Sequence, residues 1–210
     1  MLDSQRTSTA SRSHLKLTLC ICSAAVLIPF VWLFGKALWE DQLFVYRDAA
    51  HFYFPLLRLV ADEWGAGRVP LWNSQENLGQ PLLGNSVAGV FYPGQLLFAL
   101  PLDYATSYKL YIVLHLLLAA ATSYGCARGW RHSRLAATLC AVSYAFSGSV
   151  LIQTSNIPFL IGAAWLPAGL WATDRLLRGK QASGVFTLAS VLALMTLGGD
   201  PQAAYHVVLL

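Results

Sequence analysis

The amino-acid sequence predicts an all-α integral membrane protein, a multi-span helical bundle whose long first extracytoplasmic loop carries amphipathic helices. Three observations point there. Of 210 residues, 56% are hydrophobic and only 11% charged, with a mean hydropathy of +0.52, too little charge to cover an ordinary soluble surface. Apolar runs long enough to cross a hydrocarbon core of about 30 Å recur along the chain. Between them the basic residues fall in short clusters, the pattern that orients spans in a bilayer. The net charge of +4 and isoelectric point near 9.0 thus have a topological explanation, and no nucleic-acid partner is expected.

Residues 1–16 form a tail carrying Arg6, Arg12 and Lys16, expected in the cytoplasm. The first span covers about residues 17–38, with a kink expected at Pro29. A cleaved signal peptide would share this basic start and apolar run. "FGKALWE" offers no small-x-small cleavage site, so the segment reads as an uncleaved anchor. Further spans are expected over about 110–127, 135–152, 158–177 and 182–198. The third is rich in small residues, among them Ala136, Ala137, Ala141, Ala145 and Gly148, which allow close helix approach in lipid.

Placing the basic clusters inside puts "RGWRHSR" and the 175–183 segment in the cytoplasm, and residues 39–109 outside. The outer loop then holds Glu40, Asp41, Asp48, Asp62, Glu63, Glu76 and Asp103, so the acids collect on one side. In "DPQAAYH" an Asp stands at an N-cap position with Pro at the first helical position, so a further helix starts at about residue 201. The sequence therefore reads as the N-terminal part of a longer multi-span protein. Cys20, Cys22, Cys126 and Cys140 lie in apolar runs without metal-binding spacing and read as small apolar side chains.

The outer loop begins "DQLFVYRDAAHFYFPLLRLVADEWGAGRVP", where Phe52, Leu56, Leu59 and Val60 fall at helical spacing. An amphipathic helix along the outer membrane surface is expected, with Asp48 and His51 sharing one face near its start. Asp48 reads either as a solvated or helix-start carboxylate, or as a base beside a membrane-facing cavity. Next comes "VPLWNSQENLGQPLLGNSVAGVFYPGQ". Its aromatics Trp72, Phe91 and Tyr92 suit a membrane interface. Its amides Asn73, Gln75, Asn77, Gln80, Asn85 and Gln95, among four glycines, suit either a polyhydroxylated ligand or a loop that satisfies its own backbone. Asp48 and His51 form only a weak D-x-x-H pair, and neither a metal nor a cofactor is expected.

These runs resemble the YfhO-type bacterial membrane proteins. In that family an acidic residue after the first span precedes an amphipathic segment, a G-x-x-P-L-W-N run, a G-x-P-L run and an F-Y-P run. Here these are Gly67–Asn73 (with Arg68 and Val69 as the variable pair), Gly79–Leu82 and Phe91–Pro93. The likeness continues through "AVSYAFSGSVLIQTSNIPFLIGAAWLPAGLWATDRLLRG" and "LGGDPQAAYH", covering nearly everything from Asp41 onward. The chain departs from the family pattern at Asp200, where the family carries His, so a role at that position rests on its being a carboxylate rather than on a matched residue. A second outer carboxylate remains chemically compatible there.

The resemblance implies a GT-C-like architecture in the bacterial cytoplasmic membrane. The activity it implies is transfer of a sugar from a polyprenyl-phosphate-linked donor to a cell-envelope acceptor, by in-line, inverting displacement. Asp48 matches the loop carboxylate that serves as catalytic base. Arg47, Arg58 and Lys109 are the cationic candidates for the leaving phosphate; His51, Trp72, Asn73, Gln80 and Asp200 complete the substrate-side set. The rival classes are a transporter or lipid-handling protein and a non-catalytic scaffold. Ion-coupled transport calls for ionisable groups deep in the membrane, and this chain has almost none: His115 lies only about a turn and a half into the second span, and Lys36 and Asp174 near span ends.

Overall fold

The computed structural model describes residues 20–21, 24–37, 39–40, 42–44, 46–76, 78–179 and 181–209. Expectations for the 1–16 tail, Cys22, Asp41, Asn77 and Lys180 lie outside those residues. Within them the chain is helical apart from one two-stranded antiparallel ribbon, in agreement with the all-α expectation. Helix α1 spans Ala24–Ala37. A π-helical turn, Ala49–Tyr53, leads directly into α2, Phe54–Gly65. The ribbon pairs β1, Trp72–Asn73, with β2, Gln80–Pro81, and two 3-10 segments follow at Ser86–Ala88 and Pro93–Ala99. The remaining helices are α3, Tyr104–Gly129; α4, Arg134–Ala145; α5, Gly148–Leu151, continued by a 3-10 turn to Ser155; α6, Ile157–Leu177; α7, Gln181–Leu197; and α8, Pro201–Val208.

Among the described residues α3 alone is a single helix long and apolar enough to cross a bilayer; α1 and α7 are apolar but shorter. The continuous helix expected over 135–152 is two pieces meeting at 45°. Ser147 takes an extended conformation there and its hydroxyl accepts the Val150 N–H, starting a new helix. A capping serine followed by glycine ends the helix more decisively than the apolar run sustains it.

Other helix ends follow from local chemistry. Asp103 caps α3 through the Thr106 N–H, and Ser133 caps α4 through the Ala136 N–H. At the end of α7, Gly199 adopts φ +97 and the Asp200 N–H returns to the Met195 carbonyl, a glycine-terminated Schellman closure. The Asp200 side chain then accepts the Ala203 N–H at 2.8 Å and starts α8. One four-residue stretch, Gly198–Pro201, thus ends one helix and opens the next.

α3 packs against α4 and α6, and α6 against α7 and α8. The main core joins Tyr108, Tyr111, Ile112 and Leu116 of α3 to Ala141 and Ala145 of α4 and to Leu160, Ile161 and Ala164 of α6. Glycines let backbones approach. A Cβ at Gly162 would meet the Asp200 carboxylate, and one at Gly169 would meet Val207 at 2.9 Å. The segment between α1 and α3 has its own small core of Leu56, Val60, Leu82, Ala88 and Val90; each large apolar side chain withdrawn from water there contributes about 1.5–3 kcal/mol.

A buried polar chain pins that segment to the bundle. The Tyr111 carbonyl can only accept, so His115 Nδ1 donates to it at 2.6 Å and Nε2 accepts the Tyr92 hydroxyl at 2.8 Å. The Tyr92 oxygen in turn receives the Trp165 indole N–H at 3.1 Å. One neutral histidine tautomer satisfies every group in this chain.

α6 runs through Pro167, which has no N–H to give the Ala163 carbonyl one turn back. The Tyr144 hydroxyl of α4 donates to that carbonyl at 2.8 Å, and Thr122 of α3 donates to the adjacent Ala164 carbonyl at 2.7 Å. The α4 tyrosine thus re-satisfies the carbonyl that proline has freed. Tyr144→Phe is expected to destabilise the purified protein by about 1–3 kcal/mol, the cost of a buried acceptor left unpaired. Thr122→Val should cost less, because the Ala164 carbonyl keeps its helical partner. Thermal melts of both variants, and of Tyr144→Phe combined with Pro167→Ala, test this: if restoring an N–H at 167 does not shrink the Tyr144→Phe loss, the account is wrong.

Candidate functional site

Asp48 is placed by a local conflict in "RDAAHFYFP". Pro55 offers no N–H to the His51 carbonyl and its ring crowds that group. The preceding turn is wide, with the Phe54 N–H bonding back to the Ala49 carbonyl, five residues earlier. Asp48 stands at the start of this π turn, behind Arg47 with φ +54, a left-handed conformation uncommon outside glycine. Single π turns of this kind recur at functional sites.

The wide turn revises the expected neighbour of Asp48. In an α-helix His51 would share its face; with i→i+5 geometry, the residue that comes around to it is Tyr53. Burial first, and the nearby Asp48 charge second, push the Tyr53 hydroxyl above its ordinary value of 10.0. Tyr53 donates to Asn156 Oδ1 at 2.8 Å. Asn156 occupies the N-cap position of α6 but makes no side-chain cap bond; its oxygen is taken by Tyr53 instead. The Asp48 turn is thereby tied to the 152–156 segment, where Leu151, Ile152, Thr154 and Ser155 form one wall of a cleft of about 290 Å³ and Leu43, Phe44 and Tyr46 the other.

Asp48 also stands apart from the other acids. Asp62 pairs with Arg58, Glu63 with Arg68 and Asp174 with Arg178. Glu40 accepts from Gln42, Glu76 from two amides, and Asp103 and Asp200 cap helices. Among the described acids only Asp48 makes no hydrogen bond or ion pair, and it is exposed.

The cationic candidates separate. Arg47 is exposed, its guanidinium 5.9 Å from the Tyr46 ring centre. Arg58 holds Asp62 at 2.9 Å and lies over the Tyr104 ring at 5.0 Å. Lys109, expected at the outer surface to meet a phosphate, is 7% exposed and donates to the Glu40 carbonyl at 2.8 Å. It ties the segment after α1 to α3.

The amide-rich stretch folds largely onto itself. Asn73, 3% exposed, and Gln80 face each other across the ribbon, and both side-chain amides donate to Glu76 Oε2, at 3.3 and 2.7 Å. Asn73 Oδ1 also accepts the Gln75 N–H. Of the two uses weighed for these amides, the self-satisfying loop is the one their bonds describe. Trp72 is exposed, its indole packed over Gly79, where φ is +109 and a Cβ would come within 2.6 Å of Nε1.

Asp200 lies on the other side of the 148–155 segment. It is 5% exposed and lines a cleft of about 380 Å³ with Ser149, Gln153, Phe159, Gln202 and His206. Gly199, next to it, packs against Ser86, Val87 and Pro158, so the 3-10 segment Ser86–Ala88, the start of α6 and the α7–α8 turn meet at one end of the bundle. Sequence reasoning missed Tyr53, Asn156, Glu76, Gln153 and His206. Only the Asn-Ile-Pro start of α6 carried a local signal, and it pointed to a cap.

No family model, curated protein or solved structure matches this chain. Among the described residues no group of three or more His, Cys, Asp or Glu is placed to hold a metal ion.

Burial holds the Asp200 carboxyl above its ordinary value of 3.8, against the smaller opposing effects of the Ala203 N–H and His206. The folded state therefore keeps this proton to higher pH than the unfolded chain does. The resulting stability is present below the unfolded value and lost as pH rises through the raised one. Asp200→Asn keeps the cap and removes the titration, so it should raise the melting temperature at pH 7–8 and have little effect below the ordinary value. Melting curves across pH check this; an Asn variant less stable than wild type at neutral pH would contradict it.

Proposed function

We propose that the chain is a membrane glycosyltransferase of YfhO-like, GT-C-like type. It would transfer a sugar from a polyprenyl-phosphate-linked donor to an extracytoplasmic acceptor, with Asp48 as base. The observation that carries this is the state of Asp48: an exposed carboxylate without ion pair or hydrogen bond, presented by a π turn and a left-handed Arg47 and standing two residues after Tyr46, which lines a cleft. An acid retained in that setting contributes little to stability and is available for chemistry.

In the reaction an acceptor hydroxyl beside Asp48 loses its proton to the carboxylate as its oxygen attacks the anomeric carbon. The bond from that carbon to the lipid-phosphate oxygen breaks on the opposite face, inverting the centre. Negative charge grows on the departing phosphate, and cations in place before the reaction lower the barrier most. Arg47, exposed next to the base, is the first candidate; Arg58 is second because Asp62 already holds it. Tyr53 and Asn156 touch no substrate in this scheme and position the Asp48 turn.

The same proposal places the chain in the bacterial cytoplasmic membrane, with several spans and the Asp48 end of the bundle outside. Arg128, Arg131, Arg134, Arg175 and Arg178 lie at the far ends of α3 and α6 and the start of α4, in keeping with basic residues inside. Transport finds less support, since His115, the ionisable group deep in α3, is fixed in a fully bonded neutral chain.

Two measurements test the reading. Mass spectrometry of lipids copurifying with wild type and Asp48→Asn should show a polyprenyl-phosphate sugar enriched in the variant, which binds donor without turning it over. Bulk phospholipid alone in both, from cells that contain such donors, would favour transport or scaffolding instead. For topology, single cysteines at Ser74 and His132 in a cysteine-free background should react oppositely with an impermeant thiol reagent on intact cells, with only position 74 labelled.

A further inference from the structure

The Asp200 cleft has no part in the chemistry assigned to Asp48, yet it is built as a site. The carboxylate is almost fully buried at 5% exposed, and only one of its oxygens is used: Oδ1 accepts the Ala203 N–H at 2.8 Å. Oδ2 takes no hydrogen bond from the protein. It lies over Gly162, where a Cβ would stand 2.0 Å from it, so the missing side chain on α6 is what makes room for this oxygen beside the cleft. Burying a carboxylate with a free edge is costly, and the raised pKa of this group is the mark of that cost.

The surrounding groups define what could meet that edge. Gln153, from the 152–155 turn, and Gln202, from α8, both line the cleft, and neither makes a side-chain hydrogen bond within the protein. Each offers both a donor and an acceptor. His206 lies near enough to act on the carboxylate electrostatically, Ser149 adds a hydroxyl, and Phe159 presents a 41% exposed ring. A cation would need more than one carboxylate here and would compete with His206. A chain of hydroxyls suits the mixture, donating to Asp200 and exchanging bonds with the amides while an apolar ring face packs on Phe159.

We infer that this cleft binds a hydroxyl-rich ligand of carbohydrate type, with Asp200 Oδ2 as its principal acceptor. The 148–155 segment contributes to both clefts, Ser149 and Gln153 to this one and Leu151, Ile152, Thr154 and Ser155 to the one near Asp48. A ligand here thus occupies the side of that segment away from the base. Binding of that ligand does not rest on the transfer reading.

The test is saturation-transfer NMR on the complete protein in nanodiscs. The probes are methyl glycosides of glucose, galactose, mannose and N-acetylglucosamine, with ethanolamine as an amine probe. At least one glycoside should bind wild type and Asp48→Asn equally. It should bind Asp200→Asn, which preserves the helix cap, at least tenfold more weakly. The Gln153→Ala, Gln202→Ala double variant removes only rim side chains and should weaken it severalfold, giving an answer even if position 200 tolerates no change. Binding that ignores Asp200→Asn and the double variant, ethanolamine binding in place of every glycoside, or no glycoside binding at all would each overturn the inference. Glycoside binding in a protein that transfers no sugar would sink the transfer reading and leave this one intact; transfer without binding at Asp200 would do the reverse.

Discussion

How closely other helices can approach α6 governs the arrangement of the rest. Gly162 and Gly169, seven residues apart, remove the side chains that would hold α8 away, and Asp200 and Val207 fill the space. On other sides, Tyr144 and Thr122 reach backbone carbonyls around the Pro167 interruption. Close backbone approach and hydrogen bonds between helices thus hold this part of the bundle together. The clefts at the Asn156 end of this helix inherit their geometry from it: Asn156 at its start holds Tyr53, and Gly162, six residues on, seats Asp200.

Polar groups here divide into those that hold the fold and those left open. Lys109, Glu76, Asn73, Gln80, His115 and Tyr92 all satisfy one another or the backbone. Asp48 and one edge of Asp200 do not. That contrast separates structural polarity from candidate chemistry better than residue type does, because carboxylates, amides and a histidine occur on both sides of it.

Much of the architecture was legible because it is local. The Gly-Gly-Asp-Pro turn, the Pro-initiated α6 and the amphipathic α2 each announce themselves within a few residues. The break at Ser147 was hidden inside an apolar, small-residue run whose composition suits a continuous helix equally well. The site was less legible because its decisive contacts are distant in sequence. Tyr53 and Asn156 are 103 residues apart, and nothing near Lys109 shows that it will be buried against the Glu40 carbonyl. The amides after Trp72 were ambiguous for a different reason: amides that bind a ligand and amides that bind Glu76 have the same composition, and only register across the ribbon tells them apart.

The π turn before α2 has a consequence for how the loop tolerates change in length. Its five residues, Ala49–Tyr53, contain one more than a regular turn requires. Deleting a single alanine there lets the backbone close with ordinary α-helical bonds, so the loop remains helical. Everything upstream would then rotate by about 100° about the helix axis, the angle that one residue subtends. Asp48 would leave the side on which Tyr53 meets Asn156 while α2 stayed where it is. The extra residue is therefore a register element: the direction of the acid is set by a count of residues rather than by any bond to its side chain.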